Sequence, residues 1–167
     1  MVRNIQRTLK HLTIPDWFAT RVFSARDLAA ITLAVKQSEA THRGELRFVI
    51  EGALPLSALW QKQTAHQRAI QLFSELRVWD TADNSGILIY IQLVDRRVEI
   101  LADRGINARV AQSEWDKICR AMEQAFRAQQ WRAGAVNAIN RASDLLAQHF
   151  PAREDNPNEL PDAPLVI

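Results

Sequence analysis

The stretch from Ile87 to Val94 constrains the fold more than any other part of the sequence, because nearly all of its side chains are apolar. A run of this kind predicts a central β-strand that is buried on both faces. A strand buried on both faces needs helices above and below its sheet. The sequence therefore predicts an α/β fold.

Two further strands are predicted around this central one. Residues 45–51 alternate in polarity as a strand does, with Leu46, Phe48 and Ile50 pointing to one side. A turn at Asp95 and Arg96 leads into a return strand, which makes a hairpin. The first strand, the helix after it and the central strand should form a right-handed parallel crossover. We expect a three-layer α/β/α sandwich with a small mixed sheet, made of one parallel crossover plus a hairpin, flanked by helices.

Four helices are predicted from apolar spacing and capping residues. They run from a Ser24 cap to about Thr41, from about Ser57 to Arg77, onward from a Ser113 cap, and from about Ala133 to His149. Three tryptophans on these helices are expected in the core, and a fourth beside the polar loop is expected as a buried anchor. They are Trp60, Trp115, Trp131 and Trp79.

The two ends of the chain differ from its middle, so we divide it into an arm at 1–23, a domain at 24–150 and a tail at 151–167. In the arm, apolar residues at helical spacing alternate with basic ones. It is either a helix docked on the domain or, through residues 2–12, a contact with a membrane surface or a partner. The Pro-rich tail is expected to be flexible or draped over the surface, and its apolar end is a candidate docking peptide.

Composition excludes several classes of function. The net charge of +2 comes from scattered basic residues, which does not indicate nucleic-acid binding. The single cysteine excludes an intramolecular disulfide and a cysteine-based zinc site. The first residues lack a signal-peptide pattern, and no run approaches the roughly 18 apolar residues of a membrane span. A cytoplasmic location is therefore expected.

Several segments resemble the TPM-domain family, which is named for a thylakoid lumen protein, a photosystem repair protein and a worm receptor modulator. The polar loop and apolar strand at residues 79–90 are similar to the family pattern, as is the strand with its glycine loop at 97–106. The helix from Ser113 to Gln130, the turn at Gly134 and Gly44-Glu45 also fit. The resemblance covers about residues 24–150. It implies an α/β/α sandwich, acid phosphatase activity as in plant members, and binding of divalent cations, calcium included, as in some members.

The hairpin geometry places a group of polar residues at one edge of the sheet. The loop before the central strand, the loop after the return strand and the start of the first strand should meet there. The residues of this predicted rim are His42, Glu45, Asp80, Asp83, Asn84, Asp103 and Arg104. Oxygen ligands from several loops suit Ca²⁺ or Mg²⁺, and the metal ligands would be Asp80, Asp83, Asn84, Asp103 and Glu45.

Other interpretations of the same rim remain open. Asp and Asn side chains often satisfy turn backbone, Glu45 and Arg104 could form a structural ion pair, and His42 could be a solvated helix cap. Ligands of α/β sheets also usually bind beyond the carboxyl ends of parallel strands. That rule favours the opposite rim, where Glu51 and Asp95 lie.

No familiar catalytic motif is present, neither a phosphate-binding loop nor a nucleophile elbow nor a zinc-protease signature. We therefore expect a protein-interaction or scaffold module, with a divalent cation at the acidic rim. Its expected partner is another protein. The alternative is a metal-assisted or acid-type phosphatase, in which His42 or Arg104 assists.

Overall fold

The computed structural model describes residues 2–15, 17–154 and 157–167. The helices are α1 (Val2–Thr13), α2 (Phe18–Val22), α3 (Ala25–Ser38), α4 (Leu56–Trp60), α5 (Ala65–Glu75), α6 (Arg104–Asn107), α7 (Gln112–Arg127) and α8 (Trp131–His149). The strands are β1 (Leu46–Glu51), β2 (Ile87–Gln92), β3 (Arg97–Ala102) and β4 (Leu165–Val166).

The four strands form one mixed sheet in the order β3-β2-β1-β4. β1 and β2 are parallel, with Leu46 opposite Ile87, and β2 and β3 form the antiparallel hairpin. β4 adds to the free edge of β1 in parallel orientation. The predicted α/β fold, with its crossover and hairpin, is confirmed.

Both faces of β1 and β2 are covered by helices. Phe48 and Ile50 lie in a core that also contains residues of α3, α7 and α8. Val49, Leu88 and Tyr90 lie on the other face, in a second core with residues of α5. Every residue of β1 and β2 is buried as a result. The layers are therefore helix, sheet and helix.

The start of α3 lies where its capping residues predict. The Asp27 amide donates to Ser24 Oγ, and the Ser24 amide donates to the Asp27 carboxylate at 3.0 Å. This reciprocal pair satisfies backbone donors that the first helical turn leaves free. The helix ends at Ser38, a few residues before the expected end at Thr41.

The long helix predicted from Ser57 to Arg77 is two helices. Lys62 has φ 53°, which breaks the helix, and Thr64 caps α5 through a reciprocal pair with Gln67. The break leaves Trp60 on the short α4, where it is 81% exposed instead of in the core. Trp79 is also exposed, so its prediction as a buried anchor is wrong.

The described residues of the tail lie against the domain, in agreement with a tail draped over the surface; Asp155 and Asn156 lie outside the described residues. The buried Arg47 guanidinium donates to the carbonyl oxygens of Pro161 and Ala163. Leu160 is buried in the second core, and the Ile167 amide donates to the Ile50 carbonyl oxygen at 2.9 Å. The apolar end of the tail therefore docks on its own chain, at the edge of β1.

Candidate functional site

The loop before β2 and the loop after β3 meet at one edge of the sheet, as predicted. The Gly105 amide donates to the Asn84 carbonyl oxygen at 2.9 Å, and the Asp103 amide donates to the Gly86 carbonyl oxygen at 2.8 Å. A Cβ at Gly105 would lie 2.5 Å from the Asn84 carbonyl oxygen. A glycine is needed there because the two backbones approach so closely.

Arginines hold two of the predicted metal ligands. Arg43 Nε lies 2.5 Å from Asp83 Oδ2 in a half-buried ion pair. Arg104 Nε donates to Asn84 Oδ1 at 2.9 Å, and Asn84 itself has φ 52°. The guanidinium groups therefore balance the negative charge of this rim, and Arg104 pairs with Asn84 instead of with Glu45.

Asp103 is the buried carboxylate of the rim. Its Oδ1 accepts a hydrogen bond from the Arg104 amide at 2.7 Å and so caps α6. Its Oδ2 is buried without a hydrogen-bond partner among the described residues. Asp80, by contrast, lies exposed at the start of the loop.

Glu45 and His42 both pair with residues of the tail. Glu45 Oε2 accepts from the Leu160 amide at 3.0 Å; burial, together with the nearby Glu159 and Asp162 carboxylates, raises the Glu45 pKa to about 7. His42 is fully buried and pairs with Pro151 in a β-bridge. Burial lowers the His42 pKa to about 4, so the ring is neutral at physiological pH. The interpretation of His42 as a solvated cap is wrong.

Four of the five predicted ligands have other partners in the fold. Over residues 2–15, 17–154 and 157–167, no group of three or more His, Cys, Asp or Glu side chains is placed to hold a metal ion. The loops meet as the hairpin requires, but the side chains turn toward arginines, backbone amides and the tail.

Charged residues that the rim prediction left out meet at the opposite rim. Asp95 accepts two bonds from Arg7 Nε and one from Arg7 Nη2, the last at 2.7 Å, and its Oδ1 lies 3.2 Å from His11 Nε2. Burial alone would raise the pKa of Asp95, but the bonds with His11 and Arg7 hold it at about 2. His11 Nδ1 accepts from the Leu54 amide at 2.9 Å. The helix α1 is therefore docked over the carboxyl ends of the strands.

The orientation of α1 follows from these bonds. Arg7 and His11 are four residues apart, so they share one side of the helix, and that side faces the domain. Ile5, Leu9 and Leu12 lie on the other side and are 56%, 56% and 58% exposed. The spacing of Arg7 and His11 was visible in the sequence, but their partner Asp95 is more than eighty residues away.

A groove of about 610 Å³ lies between α1 and α4. We call its lining the α1–α4 face. The residues that form it are Ile5, Arg7, Thr8, Leu9, Leu12, Leu59, Trp60 and Lys62.

Comparisons with known proteins agree with this architecture. The family model described as the TPM domain matches residues 19–145. The chain belongs to the TPM domain family. The match begins after α1. The helix that forms one wall of the groove therefore lies outside the residues of the TPM-family chain that the model matches.

One solved structure in particular has the same fold. It is the NMR structure of the BA42 protein from the psychrophilic bacterium Bizionia argentinensis, with a TM-score of 0.76 and 28% sequence identity. The similarity covers 87% of this chain and 95% of that one. No curated protein matches the TPM-family chain.

Proposed function

We propose that this TPM-family chain is an interaction module that docks on a partner through the α1–α4 face. The observation that carries the proposal is the orientation of α1. Its charged side is bound to Asp95, and its apolar side remains exposed.

An amphipathic helix at a protein surface normally buries its apolar stripe against the core. Here the apolar stripe continues across the groove to Trp60, an exposed tryptophan on α4. Contiguous exposed apolar surface is typical of interaction sites, whereas single exposed apolar residues are common and need no explanation. The α1–α4 face thus has the character of a contact surface.

The proposal is tested by photo-crosslinking in cells, with a photoreactive amino acid placed at Leu9. The control position is Leu33 on α3, which has nearly the same exposure, 54% against 56%. We expect crosslinked adducts, to a protein or to a lipid, from position 9 and none from position 33. Equal yields at the two positions, or no adduct at position 9, would contradict the proposal.

A divalent cation at the predicted rim remains a second candidate, supported by one observation. Asp103 Oδ2 is buried without a hydrogen-bond partner among the described residues, beside a loop whose carbonyl oxygens face Gly105. A cation there would also have to compete with Arg43 for Asp83. An NMR titration with Ca²⁺ and then Mg²⁺ tests this candidate. Shifts at residues 80–86 and 103–105 that vanish in Asp103→Asn would support it, and the absence of shifts would refute it.

The phosphatase alternative stays a prediction that no contact of the described residues favours. His42 is fully buried, and Arg104 is bonded to Asn84. Burial keeps the His42 ring out of reach of a phosphate ester, whereas Arg104, bonded through Nε alone, keeps its other N–H donors. An aryl phosphate that the purified chain fails to turn over, at acid and neutral pH, would end that alternative.

A further inference from the structure

We propose that the α1–α4 face docks on an anionic membrane surface, an inference that rests on the interaction function proposed above. The face combines an outward apolar stripe, an exposed tryptophan and an excess of positive charge. Each of these properties points to a lipid surface for its own physical reason.

The first property is charge. Neither Asp nor Glu occurs between residues 2 and 15 or between residues 52 and 74, the two segments that supply the face. Lys62 is exposed in this face, and the exposed Lys10 follows Leu9 on α1, while Arg7 is bound to Asp95 on the inner side. These exposed cations complement an anionic partner, because basic residues next to an apolar helical face attract anionic lipid headgroups.

A second copy of the chain is a poor occupant for the same reason. A symmetric pairing of two such faces would bring Lys10 and Lys62 of one copy toward those of the other. The segments that form the face contain no acidic residue to balance them. Like charges across an interface oppose association.

The second property is the tryptophan. Trp60 is 81% exposed at the end of α4 and lines the groove that α1 borders. An indole has an apolar body and one polar N–H, which suits the boundary between headgroups and acyl chains. The aliphatic side chains of Ile5, Leu9 and Leu12 lie across the groove from it.

The third property is the outward apolar stripe. Beside Arg7, Thr8 and Lys62, the groove is lined by five apolar residues, which are Ile5, Leu9, Leu12, Leu59 and Trp60. Apolar side chains next to basic ones insert at the boundary between headgroups and acyl chains. The lining therefore suits a lipid surface.

The helix would lie in the plane of the surface. No helix among the described residues is long and apolar enough to cross a membrane. A helix with one apolar side and one charged side binds within the interfacial region instead. Here the charged side is already held by the domain, which leaves the apolar side free to insert.

The experiment is flotation of the purified full chain with vesicles. One set contains equal parts of phosphatidylcholine and phosphatidylglycerol, and the other contains phosphatidylcholine alone. We expect the chain to float with the anionic vesicles, with weaker binding at higher salt, and not with the neutral ones. Failure to float with the anionic vesicles overturns the lipid assignment.

Matched variants locate the contact. Leu9→Ala and Leu9→Glu should lower the partition coefficient, the latter by roughly tenfold or more, since apolar burial drives insertion. Leu33→Ala and Leu33→Glu should leave it unchanged. If the Leu9 variants bind the anionic vesicles as strongly as the Leu33 variants do, the assignment to this face is overturned.

The charge is tested in the same way. The double variant Lys10→Gln, Lys62→Gln should bind anionic vesicles more weakly by roughly tenfold or more, because the loss of each cation should weaken binding about fivefold. Lys36→Gln, an exposed lysine of α3, is the control. No difference between the double variant and the control would refute the electrostatic part of the inference.

The outcomes separate lipid from the other occupants. Crosslinks from position 9 to a protein, with no vesicle binding, would overturn the lipid assignment while the interaction function stands. Sedimentation equilibrium without lipid that shows a dimer, abolished by Leu9→Glu, would identify a second copy and also overturn it. No crosslink at position 9 and no vesicle binding would remove both proposals.

Discussion

The substitution Asp95→Asn tests how α1 is attached to the domain. In the folded chain, Asp95 accepts from Arg7 Nη2 at 2.7 Å, and its other oxygen lies 3.2 Å from His11 Nε2. An asparagine of nearly the same shape removes the negative charge and turns an N–H₂ toward these donors. The attachment of α1 should weaken while both cores remain intact.

The size of the effect follows from the pKa of Asp95. Its pKa is about 2 in the folded chain against an ordinary 3.8, so the pairing favours the charged carboxylate. That difference corresponds to about 2 kcal/mol, which is a factor of about 30 in the equilibrium between docked and undocked α1. Since the folded pKa is the lower one, this stabilisation is present above pH 3.8 and is lost as the pH falls through about 2.

Amide hydrogen exchange followed by NMR measures this equilibrium, because α1 can open locally without global unfolding. At neutral pH, the amides of α1 should exchange about thirtyfold faster in Asp95→Asn, and those of β1 should be unaffected. Asp80→Asn, an exposed carboxylate at the opposite edge, is the control. If exchange in α1 is unchanged, the charged side of α1 is not what holds the helix on the domain. The inference that its apolar side faces outward would then lose its support.

Three further substitutions test the tail and the rim. Glu45→Gln should raise the free energy of unfolding at pH 8 by about 3 kcal/mol, because the raised pKa of Glu45 makes stability fall as the pH rises from 4.5 to about 7. Leu160→Ala should cost about 2–3 kcal/mol in urea unfolding by leaving a cavity in the second core, whereas the exposed Leu33→Ala should cost less than about 0.5. Gly105→Ala should lower the melting temperature through a backbone clash worth about 1–3 kcal/mol, whereas Gly52→Ala, with its nearest neighbour at 3.7 Å, should be tolerated.

Each of these three predictions would be contradicted by a specific result. A Glu45→Gln chain whose stability still falls between pH 4.5 and about 7 would assign that fall to another group. Equal losses in the two leucine variants would mean that the tail is not packed in the core. Equal melting of the two glycine variants would mean that the loops around Gly105 do not press together.

Local patterns were enough to predict the scaffold. The apolar run at Ile87–Val94 and the alternation at residues 45–51 reflect burial that any parallel sheet imposes on its strands. Ser24 and Asp27 predicted the start of α3 because a helix cap is made by residues only three positions apart. Thr64 and Gln67 form the same kind of helix cap, and they indicate that a new helix starts within the long helix that was predicted.

The rim shows where local patterns stop being informative. The hairpin brings its two loops together, as the sequence predicted. Which way the carboxylates point depends on Arg43 and on the tail residue Leu160, and nothing near Asp83 or Glu45 in the sequence indicates those partners. The hairpin therefore predicted correctly that the loops share an edge. Acidic residues on neighbouring loops were not enough to predict that their side chains share a ligand.

By itself, the sequence determined that strands and helices alternate, that the sheet is buried on both sides, and that residues 2–12 form an amphipathic helix, because these properties depend on neighbours along the chain. Only the tertiary structure decided which side of that helix faces the domain and that the tail becomes the edge strand. Both outcomes depend on pairs far apart in sequence, Asp95 with Arg7 and Arg47 with Pro161. A half-buried charge such as Asp95 is stabilised by a partner, and its pairing with Arg7 leaves the apolar side of α1 facing outward.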